Sequence, residues 1–129
     1  MNEAYKKYKS TQVQSASKEK ILLMLYEAAI KFTKKAIIAC EKNDLAERGI
    51  NIGKAYDIVA ELNNTLNHSI APDVSKNLEQ LYMFITDQYT QANVSGNTKH
   101  LKDALKILEV LNEAWIQAVE RLKAEGKAS

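Results

Sequence analysis

Two histidines, one cysteine and scattered carboxylates are the side chains of this 129-residue sequence best suited to bind metals or attack electrophiles. Helical bundles that hold di-iron centres use Glu-x-x-His pairs on inward faces. Neither His68 nor His100 has a Glu three residues before it, and there is no Cys-x-x-Cys-His run. A Gly-rich phosphate loop and a Gly-x-Ser-x-Gly elbow are also missing. No metal, haem or other cofactor is therefore expected, and no catalytic residue stands out. His68 and His100 fall at helix ends, where a solvated histidine is ordinary. A rival reading makes His100, in His100-Leu101-Lys102, the phosphoacceptor of a histidine phosphotransfer domain. Such an acceptor belongs mid-helix beside a small residue, whereas His100 lies in a first turn and Asp103 follows closely. Cys40 sits on the inner side of the first helix and reads as core packing. The basic stretch 5–9 and the pair Lys34-Lys35 are candidate phosphate contacts. Interspersed acids and a net charge of +2 favour a solvated face instead.

These side chains have to be carried by helices. Apolar residues make up 46% of the chain, charged residues 26%, and there are only four glycines and one proline, a balance that favours long helices and short turns. The length suits one domain, 1–129, with a real core. The single cysteine cannot form an internal disulfide, which fits a reducing compartment. No apolar h-region follows the N-terminal lysines, and no uncharged run reaches the roughly 18–20 residues of a membrane span. A cytoplasmic protein is expected.

Residues 1–16 are polar, with Tyr5, Tyr8 and Val13 as isolated apolar anchors, and are expected to be mobile or loosely packed. Ser17 is a predicted N-cap for a helix over 18–42. Leu22, Leu25, Ala29, Phe32, Ala36 and Ala39 mark one face, while Tyr26, Ile30 and Ile37, bridged by Thr33, mark a second stripe. Asp44 and Glu47 have capping-box spacing before a helix over 45–67, with Leu45, Ile52, Ala55, Tyr56, Val59, Leu62 and Leu66 facing the core. Gly49 and Gly53 either frame a close helix contact or mark a frayed first turn. Pro72 suits the start of a helix over 73–93 whose stripe is Val74, Leu78, Leu81, Ile85, Tyr89 and Ala92, flanked by Tyr82 and Phe84. Asn97 is a candidate cap for a helix over 98–124, with Leu101, Leu105, Leu108, Trp115, Val119 and Leu122 inward and Gly126 as C′. Glu109 with Lys106, and Glu120 with Lys123, are spaced to pair on its outer face. The fold class predicted is all-α, an antiparallel up-down-up-down four-helix bundle.

The apolar surface exceeds a two-in-seven seam. Ile58 beside Leu62 and Thr65, and Ile107, Leu111, Ala114 and Ala118, widen the buried faces of the second and fourth helices. A wide core explains them, and so does a groove that accepts helices of another chain. Composition does not choose between the two.

A series of motifs resembles one family over nearly the whole chain. Tyr8-x4-Val13, SAS at 15–17 and LLMLYEAAI at 22–30 come first. KAYDIVAELNNTLN at 54–67, NLEQLYMFI at 77–85 and LNEAWIQAV at 111–119 follow in the same order and spacing. The series resembles the flagellin-specific export chaperones of bacteria, the FliS family. Lys18 in place of the usual Pro, Ala28 where Gly is frequent, and Asn67-His68 in place of an acidic pair are departures. The resemblance implies a four-helix-bundle chaperone without enzymatic activity. It would hold the disordered C-terminal segment of flagellin in apolar clefts, block premature assembly and keep the subunit ready for flagellar type III export. Tyr8 and Val13 match the family's N-terminal segment, and Tyr5 is added on local chemistry. The expected partner-binding residues are Tyr5, Tyr8, Val13, Ile58, Leu62, Thr65, Ile107, Leu111 and Ala114. Other flagellar proteins are possible partners, nucleic acid and membrane are not, and the client-free chain is expected as a monomer or weak homodimer. A self-associating structural bundle is the competing class.

Overall fold

The computed structural model describes residues 17–128. Tyr5, Tyr8 and Val13 lie outside the described residues, as does the rest of segment 1–16. Helix α1 spans Lys18–Glu41, α2 Leu45–Asn64, α3 Pro72–Ser95 and α4 Thr98–Ala128. There is no strand among the described residues.

Local chemistry sets most of these limits. The Ser17 hydroxyl accepts from the Lys20 amide at 3.1 Å and caps α1. Asn43 takes a left-handed φ of 56°, a conformation its short polar side chain tolerates, and turns the chain into α2. The Asp44 carboxylate then accepts from the Glu47 amide at 3.1 Å. Pro72 occupies the first turn of α3, where its missing donor costs nothing. Gly96, at φ 72°, closes that helix by donating to the Ala92 carbonyl at 2.8 Å. The Asn97 side chain accepts from the Lys99 amide at 2.9 Å and opens α4.

Three expectations are corrected. Helix α2 stops at Asn64 rather than 67, where Asn67 turns back to accept from the Ser69 amide at 3.0 Å. Asparagine side chains compete with the helix ladder in this way. Gly126 lies inside α4, not beyond it, since the flanking Lys, Ala and Glu residues are good helix formers. Gly49 and Gly53 neither fray nor frame a close contact: a Cβ added at either meets nothing within 4 Å. They border a shallow hollow of about 240 Å³ between α2 and α3.

The helices form a ring in which α1 packs on α2, α2 on α3, α3 on α4 and α4 back on α1. Three hydrogen bonds cross the diagonal between α1 and α3. Tyr26 meets Tyr82 hydroxyl to hydroxyl, Thr33 Oγ1 lies 2.6 Å from Tyr89 Oη, and Cys40 Sγ donates to the Gly96 carbonyl at 2.9 Å. Each pair is 56 residues apart in sequence, and successive pairs are two helical turns apart. α1 and α3 therefore run parallel in fixed register. Between α1 and α4, by contrast, Trp115 reaches Tyr26 and Glu109 reaches Lys34, so numbers rise on one helix as they fall on the other. The result is the up-down-up-down bundle.

That diagonal ladder is the second stripe of α1. Tyr26 and Thr33 are fully buried and Ile37 nearly so, so the stripe is core rather than surplus. Tyr82, read as a flank, is core as well. Leu45, Tyr56, Val74 and Leu122 go the other way: they were placed inward by spacing and are exposed, as they fall at helix ends or on the edges of the buried stripe. The expected Glu109–Lys106 and Glu120–Lys123 pairs do not close. Glu109 instead faces Lys34 across the helix interface at 4.0 Å. Exposed pairs of this kind contribute about 0–1 kcal/mol.

Buried tyrosines need partners, because an orphaned hydroxyl costs about 1–3 kcal/mol. Here each is satisfied. Thr33 donates to the Ala29 carbonyl at 2.7 Å, which leaves its oxygen to accept from Tyr89. Burial pushes the Tyr89 hydroxyl up to about 12, partly opposed by its bond to Thr33. Burial also raises Tyr26 and Tyr82 above the usual tyrosine value. All three are neutral hydrogen-bonding groups at physiological pH, not bases.

Candidate functional site

The C-terminus of α2, the connection that follows it, the start of α3 and the middle of α4 meet at one end of the bundle. Early termination of α2 matters here. It releases residues 65–71 as an irregular connection that places Ile70, 79% exposed, on the rim of an apolar groove. The groove has a volume of about 290 Å³. Thr65, Leu66, Ile70, Val74, Leu78 and Trp115 make its wall, with the buried side chains of Leu62 and Tyr82 beneath them. A neighbouring hollow of about 410 Å³, lined by Ile21, Leu22, Leu25 and Thr65, shares Leu22 and Thr65 with it.

The wall is held by the core beneath it. Trp115 Nε1 donates to the Tyr26 hydroxyl at 3.2 Å, and Tyr26 is bonded in turn to Tyr82. The indole is thus tied to a buried pair, with its ring left half-buried along the groove. An apolar surface anchored in this way is suited to packing against apolar side chains, and its few polar atoms are already engaged.

The sequence-predicted site residues are scattered by comparison. Thr65 is exposed and lines the groove, and Leu62 lies under it with only 1% exposure, so its side chain is core. Ile58, Ile107 and Leu111 are half-buried and pack against the core, while Ala114 is exposed; none of these four lines the groove. Sequence reasoning missed Ile70, Val74 and Trp115 as groove residues. Val74 and Trp115 were assigned to the interior because they fit the helical period. Ile70 carried a usable signal, as a large apolar residue among the polar residues Asn67, His68 and Ser69 and the Ala71-Pro72 that follows.

The two histidines differ. His100 is half-buried rather than solvated, with Nδ1 at 2.8 Å from Oε1 of the buried Gln88. Its Nδ1 therefore carries the proton and donates. His68 is exposed, 3.5 Å from Glu79. Cys40 packs in the core, as expected. Among the described residues no three His, Cys, Asp or Glu side chains gather as a metal site would require. No described helix is long and apolar enough to cross a membrane.

A helical bundle that carries an apolar groove over a hydrogen-bonded core has the fold and surface of a protein that binds other proteins. Residues 1–122 match the family described as "Flagellar protein FliS". The sequence is 35% identical to the flagellar secretion chaperone FliS of Vibrio cholerae over 116 residues, 89% of this chain and 85% of that one. It is 31% identical to the FliS of Bacillus subtilis, covering 90% of this chain and 86% of the relative. A bacterial flagellar chaperone of known crystal structure superposes with a TM-score of 0.76 at 23% identity, over 92% of this chain and 96% of its own, a likeness of fold. This chain belongs to the FliS family of flagellar secretion chaperones.

Proposed function

We propose that the protein acts in the cytoplasm as the export chaperone of flagellin, holding the disordered C-terminal segment of that client and catalysing no reaction. The supporting observation is the groove walled by Thr65, Leu66, Ile70, Val74, Leu78 and Trp115, apolar and built on a hydrogen-bonded core. Ile58, Ile107, Leu111 and Ala114 would extend the client's track along the bundle, and Tyr5, Tyr8 and Val13 would border it. Client folding on this surface loses chain entropy, which apolar burial on the order of 1,000–3,000 Å² offsets. No nucleotide is needed to drive such coupled folding and binding.

Calorimetric titration with the C-terminal segment of flagellin tests this reading. One-to-one binding with a large negative heat-capacity change is expected. A folded bundle that gives no heat at several temperatures would refute it. Self-association through the same groove is the second reading, favoured by the exposure of Ile70 and Val74. Light scattering of the client-free chain separates the two: a monomer or weak homodimer fits chaperoning, a tight oligomer that excludes the segment fits self-association.

A further inference from the structure

Away from the groove, α1 and α2 build a second feature around Phe32. The ring is half-buried, with its inner part packed on the core. Three ammonium groups gather on it. Lys31 Nζ lies 4.7 Å from the ring centroid, Lys54 Nζ 5.2 Å and Lys35 Nζ 5.8 Å. Lys31 and Lys35 are one helical turn apart on α1, and Lys54 reaches over from α2. All three side chains are exposed. Among the described residues the ion pairs within 4.0 Å are Lys34–Glu109 and His68–Glu79, so none of the three lysines has a carboxylate partner. Glu27 and Asp57 stand one turn away in sequence without closing a pair.

Lysine side chains normally spread into solvent, and like charges gathered round one ring repel each other. The phenyl face offsets part of that repulsion by cation–π attraction and holds the stems in place. Side chains ordered in advance lose less entropy when a partner arrives. We propose that the Phe32–Lys31–Lys35–Lys54 cluster is a docking surface for an acidic amphipathic segment of a partner protein, separate from the apolar groove. The partner would place carboxylates at helical spacing against the lysines and an apolar side chain near the Phe32 ring and the exposed Ile38, which lies one turn beyond Lys35. A nucleic acid fits less well, because Glu27 and Asp57 interrupt the positive field that a continuous phosphate backbone would need. The surface does not depend on what the groove binds.

The test uses the full chain and three labelled probes followed by anisotropy. They are a synthetic amphipathic peptide with glutamates at i, i+3 and i+4 spacing, its glutamine counterpart, and a single-stranded oligonucleotide of equal charge. The glutamate peptide should bind at least tenfold more tightly than the glutamine peptide or the oligonucleotide. The variant K31E/K35E/K54E, and the milder K31Q/K35Q/K54Q, should each lose at least tenfold for the glutamate peptide with unchanged helical circular dichroism. Titration of the flagellin segment should be the same for the parent chain and for K31E/K35E, which spares Lys54 beside Ile58. Equal binding of the glutamate peptide by parent and variants, no binding at all, or preference for the oligonucleotide would overturn the proposal.

Discussion

The two ends of this bundle are made from the same four helices and are finished differently. Where α1 and α3 end and α2 and α4 begin, polar contacts seal the bundle. Cys40 bonds the Gly96 carbonyl, Arg48 donates to the Asn93 carbonyl at 3.1 Å, and His100 meets the buried Gln88. Gly96 is needed there twice over, for its left-handed φ and because an added Cβ would come 2.7 Å from the Arg48 guanidinium. At the other end, α2 stops early and a seven-residue connection opens an apolar groove beneath Ile70 and Val74. Backbone-anchored polar closure makes one end a clamp. Unpaired apolar surface over a satisfied core gives the other end the face on which the proposed client would dock. On that proposal stability and recognition are divided along the length of one fold, and substitutions at the two ends should report on different quantities.

The largest effect on stability is expected in the core beneath the open end. Leu62→Ala removes a fully buried side chain from the floor of the groove and should cost about 2–5 kcal/mol in urea unfolding. It should weaken client binding too, through the loss of shape above it. At the open end, Val74→Asp places a charge on a 55% exposed groove residue. Client affinity should fall about 100-fold, near 3 kcal/mol, while thermal unfolding stays within about 0.5 kcal/mol of the parent. Should Val74→Asp unfold the bundle, the division between the ends is wrong. At the sealed end the pattern inverts. Gly96→Ala forces a side chain into left-handed φ and should cost about 1–2 kcal/mol, with client affinity unchanged.

Alkaline pH sharpens the role of the tyrosine ladder. The folded Tyr89 hydroxyl is pushed up to about 12 by burial, above its unfolded value of 10.0. Between those values the unfolded chain releases a proton that the folded chain keeps. Stability is therefore fully present below pH 10 and falls as pH rises toward 12, by about 2–3 kcal/mol for this group. Tyr26 and Tyr82, also raised by burial, act in the same direction. Urea midpoints at pH 8 and 11 should show the drop, and Tyr89→Phe should make it smaller. The substitution itself should cost only about 1 kcal/mol at pH 8, since Thr33 still donates to Ala29.

The helices themselves were legible in the sequence, because Ser17, Asp44, Pro72 and Asn97 act through short-range chemistry that needs no tertiary context. The allocation of apolar faces was less so. Periodicity places Tyr26, Thr33 and Ile37 on one stripe but cannot say that α3 supplies Tyr82 and Tyr89 at matching heights. That register is a property of two helices far apart in the chain. The groove was the least visible feature. Val74 and Trp115 look like core residues by spacing, and only the early stop of α2 shows that no helix covers them. For Ile58, Ile107 and Leu111 the sequence left a wide core and a partner groove as alternatives, and their half-burial against the core depends on packing between helices that no single helix reveals.

Trp115 offers the most direct measurement. It is the only tryptophan in the chain, and it lines the groove with its Nε1 tied to Tyr26. Its emission should shift to shorter wavelength and become less accessible to acrylamide as the flagellin C-terminal segment is added, saturating at one equivalent. The shift should vanish with Val74→Asp. Binding of the segment that saturates by calorimetry but leaves both emission and quenching of Trp115 unchanged would place the client elsewhere and contradict the groove at the open end as its receptor.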